Sequence, residues 1–335
     1  MSVDKLKESC IVVGAGIAGL CSAHVLQDSG MPVVVLDQGR AVGGRLATRV
    51  IKQGVFDYGA QFFTVRDQRF GRLVDQWQAE GVVQEWCRGF FVDGTYQHDG
   101  YPRYIGVCGM ATLTEHLMRS LDVRFGERVV AVRNQKGIWE VRTEGGVVLS
   151  ADALILTPPV PQSMALIESG NVAVPGAVRH ILQRFTYDPC IAVMALLEGP
   201  SALPIPGGLK LSSEPLAWIA DNRHKGISPR AWGVTIHAGP TFSRTHWETD
   251  DDSVARLVLE AADKWIRSKV CGVEIHRWRY SKPTWVCPDS CLFVPGPPPL
   301  VFAGDAFGGP RVEGATLSGF SAASRLLARL TKQIK

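Results

Sequence analysis

Hydrophobic residues group along the chain into two kinds of run. Short apolar runs bounded by turn residues, which are typical of buried strands, occur at CIVV (10–13), PVVVLD (32–37) and ALIL (153–156). Two longer stretches repeat their apolar residues every three or four positions, which predicts amphipathic helices over 109–121 and 249–266. The first strand, a helical stretch and the second strand follow one another directly, which favours an α/β fold with a parallel sheet near the N-terminus.

An alternation of residue types at every second position indicates further strands in the middle of the chain. Residues 129–160 alternate strand-like runs with Gly-containing turn signals and stop at a double proline, which predicts a small antiparallel meander followed by a buried strand. In HRWRYSKP (276–283), alternation places Trp278 and Tyr280 on one side of a strand and two arginines on the other.

Composition and charge exclude several classes of protein. The 335 residues are enough for one large or two medium domains, and the 46% hydrophobic content is ordinary for a globular protein. The net charge of +4 is spread without a block of like charges, so we expect no nucleic-acid partner. The apolar run CIAVMALL (190–197) is far shorter than the ~20 residues that span a bilayer, so we expect no membrane contact. MSVDKLKES (1–9) carries no targeting signal, so we expect a cytoplasmic location, and no feature specifies an oligomer rather than a monomer.

The cysteines and acidic residues predict no metal site. The eight cysteines are scattered, and we expect reduced thiols. Cys287 and Cys291 form a CxxxC pair, but no second pair or nearby histidine completes a zinc site. The acidic triplet at 250–252 precedes a predicted helix, where carboxylates favour the positive end of the helix dipole.

The first strand leads into a glycine-rich turn. Gly14, Gly16 and Gly19 form G-x-G-x-x-G ahead of a helix, and Asp37 ends the second strand. Gly14 permits the tight turn, Gly16 lets the backbone approach a pyrophosphate, and Gly19 allows close packing of helix and strand. Asp37 can accept hydrogen bonds from the hydroxyls of an adenosine ribose. This arrangement predicts a dinucleotide site, but it does not distinguish NAD from FAD.

A second glycine turn carries a candidate phosphate ligand. Gly43 and Gly44 directly precede Arg45, and a guanidinium at this place can bind a pyrophosphate through two parallel hydrogen bonds. Arg40 and Arg49 flank it. The alternative is a solvated basic loop, but the paired glycines favour a binding role for Arg45.

A third glycine-rich stretch, FAGDAFGGPRVEGATLSGF (302–320), lies close to the C-terminus. It follows a predicted strand over 299–305, contains Asp305, and leads into a helix that is predicted to begin near Gly314. A helix start of this kind presents free N–H groups and a positive dipole end. The alternative is a turn that only docks the last helix.

Five stretches resemble one group of flavoproteins. They are VLDQGRAVGGRLATR (35–49), FDYGAQFFTVRD (56–67), YDPC (187–190), HRWRYSKP (276–283) and FAGDAFGGPRVEGATLSG (302–319). The sequence resembles the two-domain FAD proteins related to amine oxidases, and within them it is most similar to the renalase-like branch. The resemblance implies an α/β (α+β mixed) fold, with a Rossmann-type FAD-binding domain of the p-hydroxybenzoate hydroxylase-like kind and an inserted mixed-sheet substrate domain.

The resemblance also implies a discontinuous FAD-binding domain, because the C-terminal segment of such proteins returns to it. We assign residues 1–65, 106–160 and 296–335 to this domain, and residues 66–105 and 161–295 to the substrate domain. The first glycine turn would then hold adenosine and pyrophosphate, and the C-terminal stretch would hold the flavin.

The implied cofactor is FAD, and the resemblance places its contacts on both ends of the chain. Asp305 would accept a hydrogen bond from a ribityl hydroxyl, a group that NAD lacks. The C-terminal glycine-rich stretch contains no cysteine for a thioether, so we expect noncovalent FAD. The predicted cofactor-binding residues are Gly14, Ala15, Gly16, Ile17, Ala18, Gly19, Asp37, Gln38, Gly44, Arg45, Gly59, Ala60, Gln61, Phe62, Val129, Gly304, Asp305, Glu313, Gly314, Ala315 and Leu317.

The candidate substrate-facing residues are Gln61, Trp278 and Tyr280, with no certain acid or base among them. Gln61 could equally be a satisfied polar group in a strand, and the two aromatic residues an ordinary core pair. A second nucleotide-binding unit is missing from the sequence, so the substrate would give its hydride directly to flavin N5.

The renalase-like group is thought to oxidise 2- or 6-dihydro isomers of NAD(P) and to pass the electrons to O2, which gives H2O2. That reaction needs little acid–base equipment, because a dihydropyridine becomes aromatic by hydride loss alone. Three alternatives remain open at this point: a flavin-containing amine oxidase that acts on an amine, an FAD-dependent desaturase, and an FAD-bound sensor without turnover.

Overall fold

A computed structural model describes residues 8–333 of the chain, which fold into strands and helices in mixed order. The strands are β1 (Cys10–Val13), β2 (Val33–Leu36), β3 (Thr48–Ile51), β4 (Gly54–Asp57), β5 (Val83–Val92), β6 (Thr95–Gly106), β7 (Asp122–Arg124), β8 (Val129–Gln135), β9 (Ile138–Thr143), β10 (Val148–Ala151), β11 (Ala153–Leu156), β12 (Tyr187–Leu197), β13 (Gly208–Lys210), β14 (Leu216–Asp221), β15 (Trp232–Ala238), β16 (Val270–Pro283), β17 (Leu292–Val294) and β18 (Leu300–Phe302). The helices are α1 (Ile17–Asp28), α2 (Gln68–Ala79), α3 (Ala111–Leu117), α4 (Val160–Ser169), α5 (Gly176–Leu182), α6 (Pro240–Thr245), α7 (Asp251–Ile266) and α8 (Val312–Gln333), with 3-10 turns at Gly44–Leu46 and Met118–Ser120.

The chain divides into two compact units. Unit 1 consists of the chain up to Gly44, Thr114–Thr186 and the chain from Pro283 onward. Unit 2 consists of Arg45–Leu113 and Tyr187–Lys282.

Unit 1 is built on a mainly parallel sheet with the strand order β17-β18-β11-β1-β2-β7. β1 lies in its middle and pairs in parallel with β11 and β2, in the register Cys10↔Ala153 and Cys10↔Val33. The strands β1 and β11 are completely buried, as expected for a parallel sheet that is covered on both faces. The meander predicted over 129–160 is present as β8, β9 and β10, followed by the buried strand β11.

Helices α1 and α8 pack against each other within unit 1. A Cβ atom on Gly319 of α8 would lie 2.3 Å from the carbonyl oxygen of Ala18 in α1, so glycine permits this close approach. Segments from near both ends of the chain therefore meet in unit 1.

Unit 2 is built on a mixed sheet with the strand order β16-β12-β15-β14-β13-β5-β6. The apolar face of α7 packs on this sheet through Val254, Val258 and Ile266, which are buried with strand residues such as Ile236. The Asp250 side chain caps α7 by accepting a hydrogen bond from the Ser253 N–H at 2.8 Å. The acidic triplet is thus the start of a helix, as its position predicted.

The units have other bounds than the domains that we predicted. Residues 45–65 and 106–113 lie in unit 2, whereas residues 161–186 and 283–295 lie in unit 1. The hairpin of β3 and β4 belongs to unit 2 because Phe56 is completely buried against Met194 and Leu196 of β12. Helix α4 belongs to unit 1 because its C-cap Gly170 lies so close to the β8 backbone that a Cβ there would clash with the Val132 carbonyl oxygen at 1.6 Å.

Candidate cofactor and substrate site

The first glycine turn connects β1 to α1 and has the predicted geometry. Gly14 adopts φ 102°, and its N–H donates to the Leu36 carbonyl at 2.7 Å. A Cβ on Gly14 would lie 2.4 Å from Oγ1 of Thr157, and one on Gly19 would lie 1.9 Å from the Gly14 carbonyl oxygen. Both glycines are therefore required by the protein's own packing.

Gly16, by contrast, is not required by the packing of the described residues. A Cβ on Gly16 would meet no atom of the described residues within 4 Å, so it would point into open space beside the helix start. No side chain caps this end of α1, where Ile17, Ala18 and Gly19 form the first turn. Open space next to backbone N–H groups at a helix N-terminus is the arrangement that binds a phosphate. This part of unit 1 fits the pyrophosphate of FAD.

Asp37 follows β2 and closes the same turn. Its carboxylate accepts the Ala15 N–H at 2.6 Å and the Gly39 N–H at 2.7 Å. Each carboxylate oxygen has two lone pairs, so Asp37 retains acceptor capacity for a ribose hydroxyl. The neighbouring Gln38 is exposed.

The Gly43–Gly44 turn lies against the first turn. The Gly43 N–H donates to the Ala15 carbonyl at 3.1 Å, and a Cβ on Gly44 would lie 3.8 Å from Cα of Gly16. Both glycines have positive φ values, 124° and 53°. The backbone of this turn therefore reaches the predicted phosphate position.

The C-terminal glycine-rich stretch is the other part of unit 1 that we predicted to bind the cofactor. Gly304 follows β18 with φ 133°, and its N–H donates to Oγ of Ser318 at 2.8 Å. A Cβ on Gly314 would lie 2.2 Å from the Gly309 carbonyl oxygen, so the start of α8 folds closely onto its own loop. Asp305 is half-buried directly after this turn.

The remaining predicted contacts of unit 1 lie on β8 and α8. Val129 begins β8, and Glu313 lies in the first turn of α8. Ala315 is buried, and Leu317, two positions further along α8, is half-buried. The helix begins at Val312, slightly before the predicted start near Gly314.

In unit 2, Gln61 is held by the backbone that precedes it. Its Nε2 donates to the Asp57 carbonyl at 2.6 Å and to the Gly59 carbonyl at 3.2 Å. A Cβ on Gly59 would lie 2.1 Å from the Arg45 carbonyl oxygen, and the Ala60 N–H donates to that oxygen at 2.8 Å. Four predicted residues of unit 2 are thus joined in one small backbone network.

Asp57, whose carbonyl accepts the hydrogen bond from Gln61, forms a buried ion pair through its carboxylate. Its Oδ2 accepts from the Lys225 ammonium at 2.6 Å, and both side chains are 0% exposed. Its Oδ1 accepts the Met110 N–H at 2.7 Å and the Thr48 hydroxyl at 2.5 Å. Burial lowers the pKa of Lys225, and the attraction of Asp57 opposes this shift. No sequence pattern near Asp57 or Lys225 predicts this pair.

Trp278 belongs to an aromatic wall in unit 2, which consists of Tyr58, His276 and Trp278. Its ring stacks on Tyr58 at 5.3 Å between centroids and 16° between planes, and its Nε1 donates to the Tyr58 carbonyl at 2.8 Å. His276 contacts both rings edge-on. The predicted alternation of β16 is present, since Arg277 and Arg279 both contact Trp247 instead.

Two histidines are weak bases: His276, which belongs to this wall, and His237, which lies next to it. Burial lowers the pKa of His276 to about 4, and the charge of Arg49 acts in the same direction. Burial also lowers the pKa of His237 to about 4, although its ring nitrogen lies 3.1 Å from the Tyr58 carbonyl oxygen. Both imidazoles are therefore neutral at pH 7.

Arg45 and Tyr280 are also brought together. The Arg45 guanidinium donates to the carbonyl oxygens of Tyr280 and Ser281, both at 3.3 Å. The Tyr280 ring contacts Tyr187 edge-on at 5.5 Å. Arg45 thus anchors the backbone of β16, and its binding to pyrophosphate stays a prediction.

Phe62 belongs to a different aromatic group from Trp278. Its ring lies 4.9 Å from Phe90 and 5.8 Å from Trp218, measured between centroids. Trp86 completes this group with a centroid 6.3 Å from Phe62. Phe62 therefore packs in an aromatic group that is separate from the wall that contains Trp278.

All eight cysteines are free thiols within the described residues. Across residues 8–333 there is no cluster of three or more His, Cys, Asp and Glu side chains that could hold a metal ion. In the same range, no helix is both long and apolar enough to cross a membrane.

Comparison with known proteins shows the family of the chain. A family model described as a NAD(P)-binding Rossmann-like domain matches residues 12–77, and one described as flavin containing amine oxidoreductase matches residues 73–327. The renalase of Mus musculus is 24% identical over 333 residues, covering 93% of this chain and 96% of that protein.

Two solved structures show the breadth of the shared fold. Cyclohexylamine oxidase from Brevibacterium oxydans IH-35A matches with a TM-score of 0.74 and 12% identity over 97% of this chain and 100% of that one. A CLA-producing fatty acid isomerase from P. acnes matches with a TM-score of 0.71 and 11% identity over 97% and 99% of the two chains. The chain belongs to the flavin containing amine oxidoreductase family and is an FAD-dependent oxidoreductase.

Proposed function

We propose that this protein oxidises a 2- or 6-dihydro isomer of NAD(P) by hydride transfer to flavin N5, and that the electrons then pass to O2 to give H2O2. Bound FAD supplies the hydride acceptor and the route to oxygen. The protein would supply the binding surface that aligns the substrate.

The observation that carries this proposal is the aromatic wall of Tyr58, His276 and Trp278. The stacked rings of Tyr58 and Trp278 form a flat surface that suits a planar pyridine ring. His276 contacts both rings of the wall, and His237 lies beside the Tyr58 carbonyl. Both histidines have pKa values of about 4, so they are poor proton acceptors at neutral pH. Lys225, the buried lysine of this unit, is already bound to Asp57.

An aromatic surface with only weak bases beside it suits a reaction in which the substrate releases no proton. A dihydropyridine that loses a hydride becomes an aromatic pyridinium, so alignment alone can account for much of the rate acceleration. An amine substrate, by contrast, enters as an ammonium whose pKa is ~10 by analogy with lysine, and it must lose a proton first. The distant similarity to renalase supports the same substrate class.

Within this proposal the two glycine-rich ends of unit 1 hold the cofactor. Gly16 and the start of α1 would face the pyrophosphate, and Asp37 would bind the adenosine ribose. Asp305 would bind the ribityl chain. The start of α8 would favour negative charge on the pyrimidine end of the flavin.

An amine oxidase is the second candidate, because the chain belongs to the flavin containing amine oxidoreductase family and shares the fold of a cyclohexylamine oxidase. A direct experiment separates the two. The oxidised holoenzyme is mixed anaerobically with 2-dihydro-NAD(P), 6-dihydro-NAD(P), ordinary 4-dihydro-NADH or a panel of primary amines, while the flavin absorbance is followed.

We expect fast bleaching by one of the isomers, slow bleaching by ordinary NADH, and recovery of colour with H2O2 formation on admission of air. Bleaching by amines and not by the isomers would establish the amine oxidase instead. If none of these compounds reduces the flavin, the result would favour an FAD-bound sensor without turnover.

The aromatic wall provides matched variants for this assay. Trp278→Ala should slow flavin reduction while FAD stays bound, because the side chain would align the substrate and not the cofactor. Trp278→Phe keeps an aromatic ring on Tyr58 but loses the hydrogen bond to its carbonyl, so it should retain most of the rate. Equal loss in both variants would mean that the stacked ring does not align the substrate.

A further inference from the structure

The C-terminal turn, which we define as residues 304–309, contains three glycines among its six residues. Gly304, Gly308 and Gly309 adopt φ values of 133°, 79° and 140°. Glycine loses more conformational freedom than any other residue when it becomes ordered, so a turn of this composition depends on contacts with other segments to keep one conformation. Asp305, the residue that we predict to bind the ribityl chain of FAD, lies in this turn.

The stretch between β16 and β17 holds the C-terminal turn by its backbone. The Cys287 N–H donates to the Ala306 carbonyl at 2.8 Å, and the Gly308 N–H donates to the Cys287 carbonyl at 3.0 Å. The beginning of this stretch is also bound, since the Thr284 N–H donates to the Thr186 carbonyl at 2.8 Å. All of these residues belong to unit 1. The turn is therefore fixed by a stretch whose own position is fixed within the same unit.

A column of four side chains, Phe307, Phe185, Trp285 and Arg184, supports the same turn. Phe307 is 1% exposed, and its ring centroid lies 5.1 Å from that of Phe185. The Phe185 ring lies 4.7 Å from the Trp285 ring, and the guanidinium carbon of Arg184 lies 4.0 Å from the centroid of Trp285. Phe185 is buried, whereas Trp285 is half-buried and Arg184 is exposed. The column therefore extends from the turn to the protein surface.

We infer that Trp285 is a positioning residue for the flavin half of the cofactor. It keeps Phe185 against Phe307, and so it keeps the C-terminal turn in the conformation that binds FAD. The inference rests on that part of the proposed function which assigns the ribityl chain to Asp305, and it does not depend on which substrate is oxidised. A ligand that binds one conformation of a turn loses affinity in proportion to the time that the turn spends in other conformations.

Two dissociation constants of the full chain test this role. Equilibrium dialysis of the holoprotein gives the Kd of FAD, and displacement of FAD by ADP gives the Kd of ADP, which carries adenosine and pyrophosphate but no flavin. If Trp285→Ala leaves the turn in its binding conformation about one tenth of the time, the Kd of FAD should rise about tenfold. The Kd of ADP should stay unchanged, because the first glycine turn is not altered. Trp285→Phe keeps a ring between Arg184 and Phe185, so it should restore the Kd of FAD.

A matched variant in the same unit separates positioning from stability. Ile167 is completely buried in α4, so Ile167→Ala should lower the unfolding temperature by creating a cavity and should leave both constants unchanged. If Trp285→Ala lowers the unfolding temperature but leaves the Kd of FAD unchanged, or raises both constants equally, Trp285 is a structural residue and the inference is wrong. A Trp285→Phe variant that binds FAD as weakly as Trp285→Ala would also overturn it.

The variant Asp305→Ala separates this inference from the proposed function. If Asp305→Ala weakens FAD binding and Trp285→Ala does not, the positioning role of Trp285 alone is wrong. If Trp285→Ala weakens FAD binding selectively and Asp305→Ala does not, the turn binds the flavin half through other groups, so the inference holds and the role of Asp305 is wrong. If neither variant changes the Kd of FAD, both the inference and the assignment of the ribityl chain are wrong.

Discussion

Replacement of Lys225 by methionine should destabilise unit 2 strongly. The Lys225 ammonium is the group that binds Oδ2 of Asp57 among the described residues, and both side chains are completely buried. Methionine fills a similar volume but leaves the carboxylate buried without its counter-charge. Removing one partner of a buried ion pair typically costs about 3–5 kcal/mol. The hydrogen bonds from Met110 and Thr48 to Oδ1 remain, so we expect about 3 kcal/mol, the lower end of that range.

Urea unfolding of the holoprotein at a fixed excess of FAD, followed by tryptophan fluorescence, measures this loss. The control is the double variant Lys225→Met, Asp57→Asn, in which no charge is left buried. Neighbouring groups couple by about 0.5–3 kcal/mol, so the double variant should be more stable than the sum of the two single changes predicts. A loss below about 1 kcal/mol for Lys225→Met with additive single changes would refute the assignment of a buried ion pair.

Three further predictions concern the cofactor turns and pH. Gly16→Ala should weaken FAD binding and leave the unfolding temperature of the apoprotein unchanged, because its Cβ points into open space. Gly14→Ala should lower that temperature, since its Cβ would clash and its φ is 102°. Asp37→Ala and Asp305→Ala should each weaken FAD binding by about 1–3 kcal/mol, and only Asp305→Ala should also weaken riboflavin binding; unchanged FAD retention in both would contradict the two-turn site. The pKa of His237 falls from 6.5 to about 4 on folding, because burial disfavours the charged imidazole. The contribution of neutral His237 to the free energy of unfolding should therefore be fully present above pH 6.5 and should decrease as the pH falls toward 4. Thermal unfolding across this range should show a smaller pH dependence in His237→Gln, and an identical dependence would exclude His237 as its source.

The sequence predicted those parts of the site that depend on local pattern. The Gly14 turn has a tight strand-to-helix connection that only glycines can form, and its spacing alone reveals it. The start of α7 at Asp251 follows from the acidic cap in the same way. The alternation of β16 also predicted that Trp278 and Arg277 point to opposite sides.

The parts that the sequence did not reveal depend on tertiary packing. Asp57 and Lys225 are 168 positions apart, and neither stretch carries a pattern that indicates a partner. Ser318 is one of several serines near the C-terminus, and its bond to Gly304 exists because α8 folds back onto β18. The placement of the β3–β4 hairpin in unit 2 has a similar cause, since the burial of Phe56 against β12 cannot be derived from β4 alone.

Thr157 links the first glycine turn to the C-terminal glycine-rich stretch, although the two are far apart in the chain. It follows β11, which lies between β1 and β18 in the sheet, so the carboxyl ends of all three strands share one edge. The Thr157 hydroxyl donates to the Val13 carbonyl at 2.8 Å in the first turn, and its own carbonyl oxygen lies 3.5 Å from the Cβ position of Gly304 in the C-terminal turn. Ligands of parallel sheets bind at the carboxyl ends of the strands. A cofactor as long as FAD would need more than one loop along this edge, and the loop after β18 would provide it because β18 lies on the far side of β11.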